Sequence, residues 1–278
     1  MPCMAVRFIV VPQWQGSGSP RRLQISEGAA AIRAGLAAAA VRDVEVPGEP
    51  GEAQGAGVQG YSVLRAIREQ HARLLADTDG LTITIGGDCG VELAAIGHAT
   101  RRAAGDLAIV WLDAHGDLNT PASSPSGAFH GMVLRAALGE GVPGLVSEPA
   151  ATPRPEQVVL GGTRAFDPAE RDYVAAHGLR VISPADLGPE SLIAAIEATG
   201  ASSLFIHIDL DVLDPGELRG IGCPEPQGVS AVALIASIAA ARARFRLIGA
   251  GIAEFTPWSL AEASDDMPTI RRILGALG

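Results

Sequence analysis

"LAIVWLDAHGD", Leu107 to Asp117, is the stretch from which the fold can be read. Six apolar residues run without interruption into an aspartate, a histidine and an aspartate spaced two apart. An unbroken apolar run of this length reads as a strand buried on both faces, as in a parallel sheet covered by helices. Side chains alternate along a strand, so Asp113, His115 and Asp117 leave its end in one direction. The same grammar returns in "LFIHIDLDVLDP", Leu204 to Pro215, which sets Asp209 and Asp211 at the same two-residue step.

Outward from these two runs, further strand-length apolar segments occur at Val6 to Val11, Val44 to Val46, Leu81 to Ile85, Val158 to Leu160, Arg180 to Ile182 and Leu247 to Ile252, eight in all with the first two. Segments of helical period lie between them. Tyr61, Leu64, Ile67, Leu74 and Leu75 share one stripe, and Leu192, Ile193 and Ile196 repeat the pattern. Alternating strands and helices predict an α/β fold with a parallel sheet, and with no linker or internal repeat residues 1–278 read as a single domain. Pro47 to Gly60 reads as an exposed loop. Two connections, Asp113 to about His130 and Asp209 to about Gly228, exceed the usual two to six residues of an α/β unit. Long loops at the carboxyl ends of parallel strands are where such folds place their sites.

Composition narrows the function. A net charge of -10 with only isolated arginine doublets argues against a nucleic-acid partner. Three scattered cysteines, Cys3, Cys89 and Cys223, imply no disulfide framework and fit a reducing cytoplasm. No segment approaches the roughly 18 uninterrupted apolar residues of a membrane span, and no secretory leader is evident.

Gathering several carboxylates at the ends of buried strands is costly, because like charges repel in low dielectric and each resists desolvation. Cations resolve the conflict. Mixed carboxylate and imidazole donors, too many for one ion, favour two divalent metals such as Mn²⁺ over a closed structural zinc site. Such a pair makes a nucleophile from water at neutral pH, which predicts metal-assisted hydrolysis.

Five motifs in order carry a resemblance: "GGDC" ending at Cys89, "DAHGDLNTP" from Asp113, "SGAFHGM" from Ser126, "HIDLDVLDP" from His207 and "AEFTP" from Ala253. Together they resemble the arginase/agmatinase (ureohydrolase) family. The resemblance implies a three-layer α/β/α fold with an eight-stranded parallel sheet, two Mn²⁺ ions, and hydrolysis of a guanidine to an amine and urea by an oligomer, a trimer or hexamer. It makes Asp113 and Asp209 bridging ligands, adds Asp117 for one ion, and gives His115 and Asp211 to the other. The remaining ligand, a histidine in the family, falls on Cys89, which would ligate as thiolate or stand as a small buried residue.

The same resemblance makes Glu254 the guanidinium clamp, His130 a proton shuttle and Asp117 the acid that protonates the leaving nitrogen. "LNTPASSPSG" is similar to the arginase branch and implies that Asn119, Ser124 and Ser126 meet an α-carboxylate. "GTRAFDPAE" implies that Asp167 and Glu170 read an α-amino group; Glu170 taken alone would be a helix-start acid, and the two sets together favour an α-amino acid over agmatine. Ala128 and Cys223 depart from the arginase pattern, Cys223 standing near the guanidinium. The expected substrate is arginine or a close derivative. Nω-hydroxyarginine, a guanidino acid and agmatine are alternatives, as is a degenerate, non-catalytic arginase-like protein. His71, His98 and His177 read as structural or surface residues, and His207 as a neighbour of the metal shell on the side of Asp209.

Overall fold

The computed structural model describes residues 6–278, so Cys3 lies outside the described residues. Eight strands form one all-parallel sheet: β1 (Arg7–Val11), β2 (Val41–Asp43), β3 (Thr82–Gly86), β4 (Ala108–Leu112), β5 (Val158–Gly161), β6 (Arg180–Ile182), β7 (Ser203–Asp209) and β8 (Arg246–Ala253). Their order across the sheet is β2-β1-β3-β8-β7-β4-β5-β6. The helices are α1 (Arg22–Ala34), α2 (Tyr61–Ala76), α3 (Glu92–Arg102), α4 (Val133–Ala137), α5 (Pro168–His177), α6 (Pro189–Glu197), α7 (Ala231–Arg244) and α8 (Leu260–Leu277).

Strand alternation divides the core in two. Ile9, Ile109, Trp111 and Phe205 face one way and pack with Leu64 and Ile67 of α2, Ile96 of α3 and Tyr173 of α5. Val10, Val110, Leu204, Ile206 and Ile208 face the other way and pack with Ile32 of α1, Ile196 of α6, Ile238 of α7 and Ile270 of α8. The result is the expected three-layer α/β/α arrangement. Among the described residues, no helix is long and apolar enough to cross a membrane.

One strand differs from expectation. The apolar pair Val44 and Val46 suggested the second strand, but the ladder runs one turn of chain earlier, pairing Phe8 with Val41 and Val10 with Asp43. An edge strand needs only backbone pairing on one side, so it tolerates the exposed Arg42 and Asp43. Val44, 3% exposed, marks where the chain leaves the ladder and enters the core beside α2. The segment from Pro47 to Gly60 is largely exposed, as its composition predicts.

The four strands β3, β8, β7 and β4 are consecutive in the sheet. Their carboxyl ends deliver Cys89, Glu254, Asp209 with Asp211, and Asp113 with His115 and Asp117 to one edge.

Candidate metal centre and substrate cavity

At the end of β3 the chain must turn sharply. Gly87 has no room for a side chain, because a Cβ there would lie 1.8 Å from the Gln13 carbonyl oxygen. Asp88, fully buried, then accepts hydrogen bonds from Gln13 Nε2 (2.8 Å), Gly16 N (2.9 Å) and Gly90 N (2.9 Å). That clasp fixes Cys89, which is 1% exposed. Burial and the charge of Glu254 push the Asp88 carboxyl up to about 7.

Cys89 Sγ donates to Asp209 Oδ2 at 3.1 Å. Burial, then the carboxylates of Asp209 and Asp117, push its thiol well up, so a thiolate at this position requires a neighbouring cation. Asp113 accepts from Trp111 Nε1 (3.0 Å) and from the His115 amide (2.6 Å). Asp211 accepts from the Ala114 amide (3.0 Å) and lies 2.9 Å from His115 Nδ1. Burial followed by neighbouring carboxylates raises Asp117 and Asp209 well above the usual range. The same causes, Asp113 leading the charges, take Asp211 up to about 6.

Two groups of donor atoms, each within 4.8 Å of one another, emerge: Cys89, Asp113, His207 and Asp209, and Asp113, His115 and Asp211. Asp113 belongs to both. Asp117 stands outside these two tight groups, yet its Oδ2 is buried with no hydrogen-bond partner. A buried carboxylate oxygen without a partner calls for an explanation, and with the two donor groups it could serve a cation.

Two site residues hold left-handed backbone conformations that only glycine adopts freely: Asp117 at φ 52° and Glu254 at φ 64°. Backbone held this way costs about 1 to 3 kcal/mol per residue and gathers at functional sites. The turn at Glu254 is held by its amide, which donates to the Gly87 carbonyl at 2.8 Å. Its Oε1 meets the Cys89 amide (3.3 Å) and His130 Nδ1 (3.2 Å). The Gly18 amide donates to His130 Nε2 at 3.1 Å, so the ring carries its proton on Nδ1.

At this edge lies a cavity of about 180 Å³ lined by His115, Asp117, Asp209, Asp211, His130 and Glu254, together with the predicted substrate residues. A larger cleft of about 380 Å³ borders α2 and α3 around Arg68 and Arg101, but it lacks the carboxylate and histidine set. Chemistry, not volume, selects the smaller one.

A sequence profile described as the arginase family matches residues 15–266. The chain belongs to the arginase family. It is 35% identical over 155 residues to the arginase of Bacillus subtilis (strain 168), a match covering 53% of this chain and 52% of that protein. It thus spans about half the length of that relative. It is also 35% identical over 196 residues to the N(omega)-hydroxy-L-arginine amidinohydrolase of Streptomyces lavendulae, covering 70% of this chain and 68% of the relative. The fold superimposes on Entamoeba histolytica arginase, solved with L-ornithine, with a TM-score of 0.85 at 23% identity, covering 99% of this chain and all of the other.

Within this arginase-family chain, all five carboxylate and histidine residues predicted from the two strand ends, together with Cys89, gather at one edge. Asn119, Ser124, Ser126, Asp167, Glu170 and Cys223 line the same cavity. Several of them are also engaged by hydrogen bonds within the chain. Glu170 is 4% exposed and holds two backbone amides, Leu118 N at 2.8 Å and Asp167 N at 2.8 Å. It closes a capping box at the start of α5 and ties down the loop after Asp117, which is the helix-start reading of "DPAE". Asn119 donates to Asp167 Oδ2 (2.8 Å) and accepts from Ser123 Oγ (2.9 Å). Ser124 and Ser126 accept from the amides of Gly127 and Ala128. Burial, then the charge of Glu254, takes the Cys223 thiol up to about 12.

Sequence reasoning overlooked Glu92 and Asp88. Glu92 sits at the first position of α3, where an acid is ordinarily a solvated helix-start residue, yet it is fully buried. Its signal was available: an acid inside "GVELAAIG", with apolar or small residues on both sides.

Proposed function

We propose that this chain hydrolyses the guanidino group of arginine or a close derivative, releasing urea or a substituted urea, with two divalent cations, Mn²⁺ by donor type. The observation that carries this reading is the opening of the carboxylate and histidine cluster and of Glu254 onto one cavity. Asp113, His115 and Asp211 would hold one cation, and Cys89, Asp113 and Asp209 the other, with the unpartnered Asp117 Oδ2 available to it. When bound, the cations supply a water-derived nucleophile at neutral pH.

The chain's own groups do the rest. A guanidinium is permanently charged and needs a carboxylate. Glu254 faces the cavity, and among the described residues its hydrogen bonds use Oε1, leaving Oε2 for the ligand. Its left-handed backbone fixes that direction before substrate arrives. His130, carrying its proton on Nδ1 beside Glu254, moves protons between the cavity and its mouth. Asp117, which lines the cavity beside the donor groups, would pass a proton to the departing nitrogen. Asn119, Ser124, Ser126 and Asp167 in the cavity lining suit the two ends of an α-amino acid.

Nω-hydroxyarginine is the second reading. It is favoured by a cysteine among the donors and by the 35% identity to the Streptomyces lavendulae amidinohydrolase. The test is urea and hydroxyurea release from arginine, Nω-hydroxyarginine, agmatine and a guanidino acid, using chain stripped by chelation and reloaded with Mn²⁺. Release from either α-amino acid supports the proposal. Absence of release from every guanidine, with cations demonstrably bound, overturns it.

A further inference from the structure

In β7 a histidine interrupts the apolar run from Leu204 to Ile208. His207 is fully buried, lies flat against Trp111 with ring centroids 3.7 Å apart, and turns Nε2 toward Cys89 Sγ at 3.5 Å and Asp113 Oδ2 at 3.9 Å. Its other nitrogen, Nδ1, is 3.5 Å from Glu92 Oε1 and has no hydrogen-bond partner. Both oxygens of Glu92 are likewise buried and without hydrogen bonds. A buried carboxylate with two orphaned oxygens calls for a specific explanation.

The neighbouring strand provides for it. His207 pairs with Gly251 of β8, and a Cβ on Gly251 would lie 1.7 Å from Glu92 Oε1. The glycine therefore vacates the space that the carboxylate fills, directly behind the ring. A core histidine kept only for packing would need no acid behind it, and an acid kept only for helix capping would reach water.

We infer that His207 Nε2 is a ligand of the cation on the Cys89 side, completing a shell with Cys89, Asp113 and Asp209, and that Glu92 is the carboxylate that orients the ring through Nδ1. The donor atoms lie 3.1 Å apart from Cys89 Sγ to Asp209 Oδ2, 3.5 Å from Sγ to His207 Nε2 and 3.9 Å from Nε2 to Asp113 Oδ2, and the four residues' donors all fall within 4.8 Å of one another, close enough to share one cation. A proton on Nδ1 shared with Glu92 leaves the Nε2 lone pair on the cation side, the usual carboxylate–histidine–metal relay. An imidazole then enters this shell from β7, while the resemblance had assigned one to the position of Cys89 on the turn after β3. The inference rests on the proposed reading of this edge as a metal centre.

The experiment measures cation binding directly. The full chain, stripped by chelation, is titrated with Mn²⁺ by calorimetry, and with Co²⁺ by absorption, where a thiolate-to-cobalt band reports Cys89. Wild type should take up two Mn²⁺. His207→Phe keeps a ring against Trp111 without a donor and should lose one equivalent, or bind it at least 100-fold more weakly. Glu92→Gln should weaken the same ion about 10- to 100-fold, the range expected for removing an orienting partner. His207→Phe leaves the Glu92 carboxylate buried without the ring nitrogen it faces at 3.5 Å, so the double variant His207→Phe/Glu92→Met, which buries no charge, is the folding control. It should melt cooperatively, bind one Mn²⁺ and show a diminished cobalt–thiolate band. If wild type binds no cation, both the metal centre and this inference fall. If wild type and the folded double variant each bind two Mn²⁺ with equal affinity, the metal centre stands and His207 is not a ligand. A band that shifts while both ions stay bound makes His207 a hydrogen-bond partner of the Cys89 sulfur, which also overturns the assignment.

Discussion

Glu170→Ala separates a substrate-reading acid from a loop-holding one. In the structure its two oxygens accept from the buried Leu118 amide and from the Asp167 amide, both at 2.8 Å. Truncation strands both donors, at about 1 to 3 kcal/mol each. Part of that loss is returned, because burial already holds the Glu170 carboxyl above the usual range and its removal relieves a desolvated charge. The net expectation is about 1 to 4 kcal/mol of destabilisation, a Tm drop of about 2 to 16 °C for a chain of this size. Leu118 separates Asp117 from Asn119, so a loosened loop displaces both. Turnover should therefore fall for every guanidine accepted, agmatine included. Calorimetric melting combined with kcat and KM on arginine, Nω-hydroxyarginine and agmatine decides the matter. An unchanged Tm together with a KM increase confined to the two α-amino acids would refute the reasoning and restore Glu170 as a reader of the α-amino group.

Three further outcomes are expected. His71 is buried in α2, and that burial lowers it to about 3 from 6.5. The unfolded chain therefore binds the extra proton between those values, and stability falls as pH drops through 6.5, by about 2 kcal/mol between pH 8 and pH 5. Denaturant titrations at the two pH values should show this slope, reduced by that amount in His71→Phe; equal slopes would exclude His71 as the source. Asp113→Asn replaces the one residue common to both donor groups with a neutral amide, and should abolish hydrolysis while reducing bound Mn²⁺; full metal content with near-normal turnover would sink the shared-ligand assignment. Cys89→His should keep two cations and shift preference toward arginine over Nω-hydroxyarginine, since exchanging a thiolate for neutral imidazole raises the site's charge by one unit; an unchanged ratio of kcat/KM values would count against it.

The architecture was legible because apolar runs such as Leu107 to Leu112 have few other ways to be buried, and the two-residue steps after them survive any small error in strand boundaries. Val44 to Val46 misled for the same reason, because burial at an edge need not coincide with the ladder. Glu170 was ambiguous because a capping acid and a ligand-reading acid share the sequence "DPAE". Glu92 could be flagged from its apolar neighbours, but not its role, because that depends on a gap left by Gly251, on a strand more than 150 residues away. Local spacing reports which way a side chain points. It does not report what has been cleared from the other side.

The position of β8 in the sheet has a consequence for how the site comes into being. This strand, the last of the eight in chain order, sits in the middle, between β3 and β7. Until Arg246–Ala253 has docked, the sheet is two separate half-sheets, β2-β1-β3 and β7-β4-β5-β6, with Cys89 on one and the clustered aspartates on the other. Closing that seam joins Cys89 to Asp209, delivers Glu254, and slides Gly251 behind His207. Parallel pairing between such distant segments forms late, since loop closure must precede the contacts that reward it. During synthesis, then, a growing chain that has not yet reached Ala253 has no assembled cavity, and the proposed cations would have their full donor set only in the finished fold.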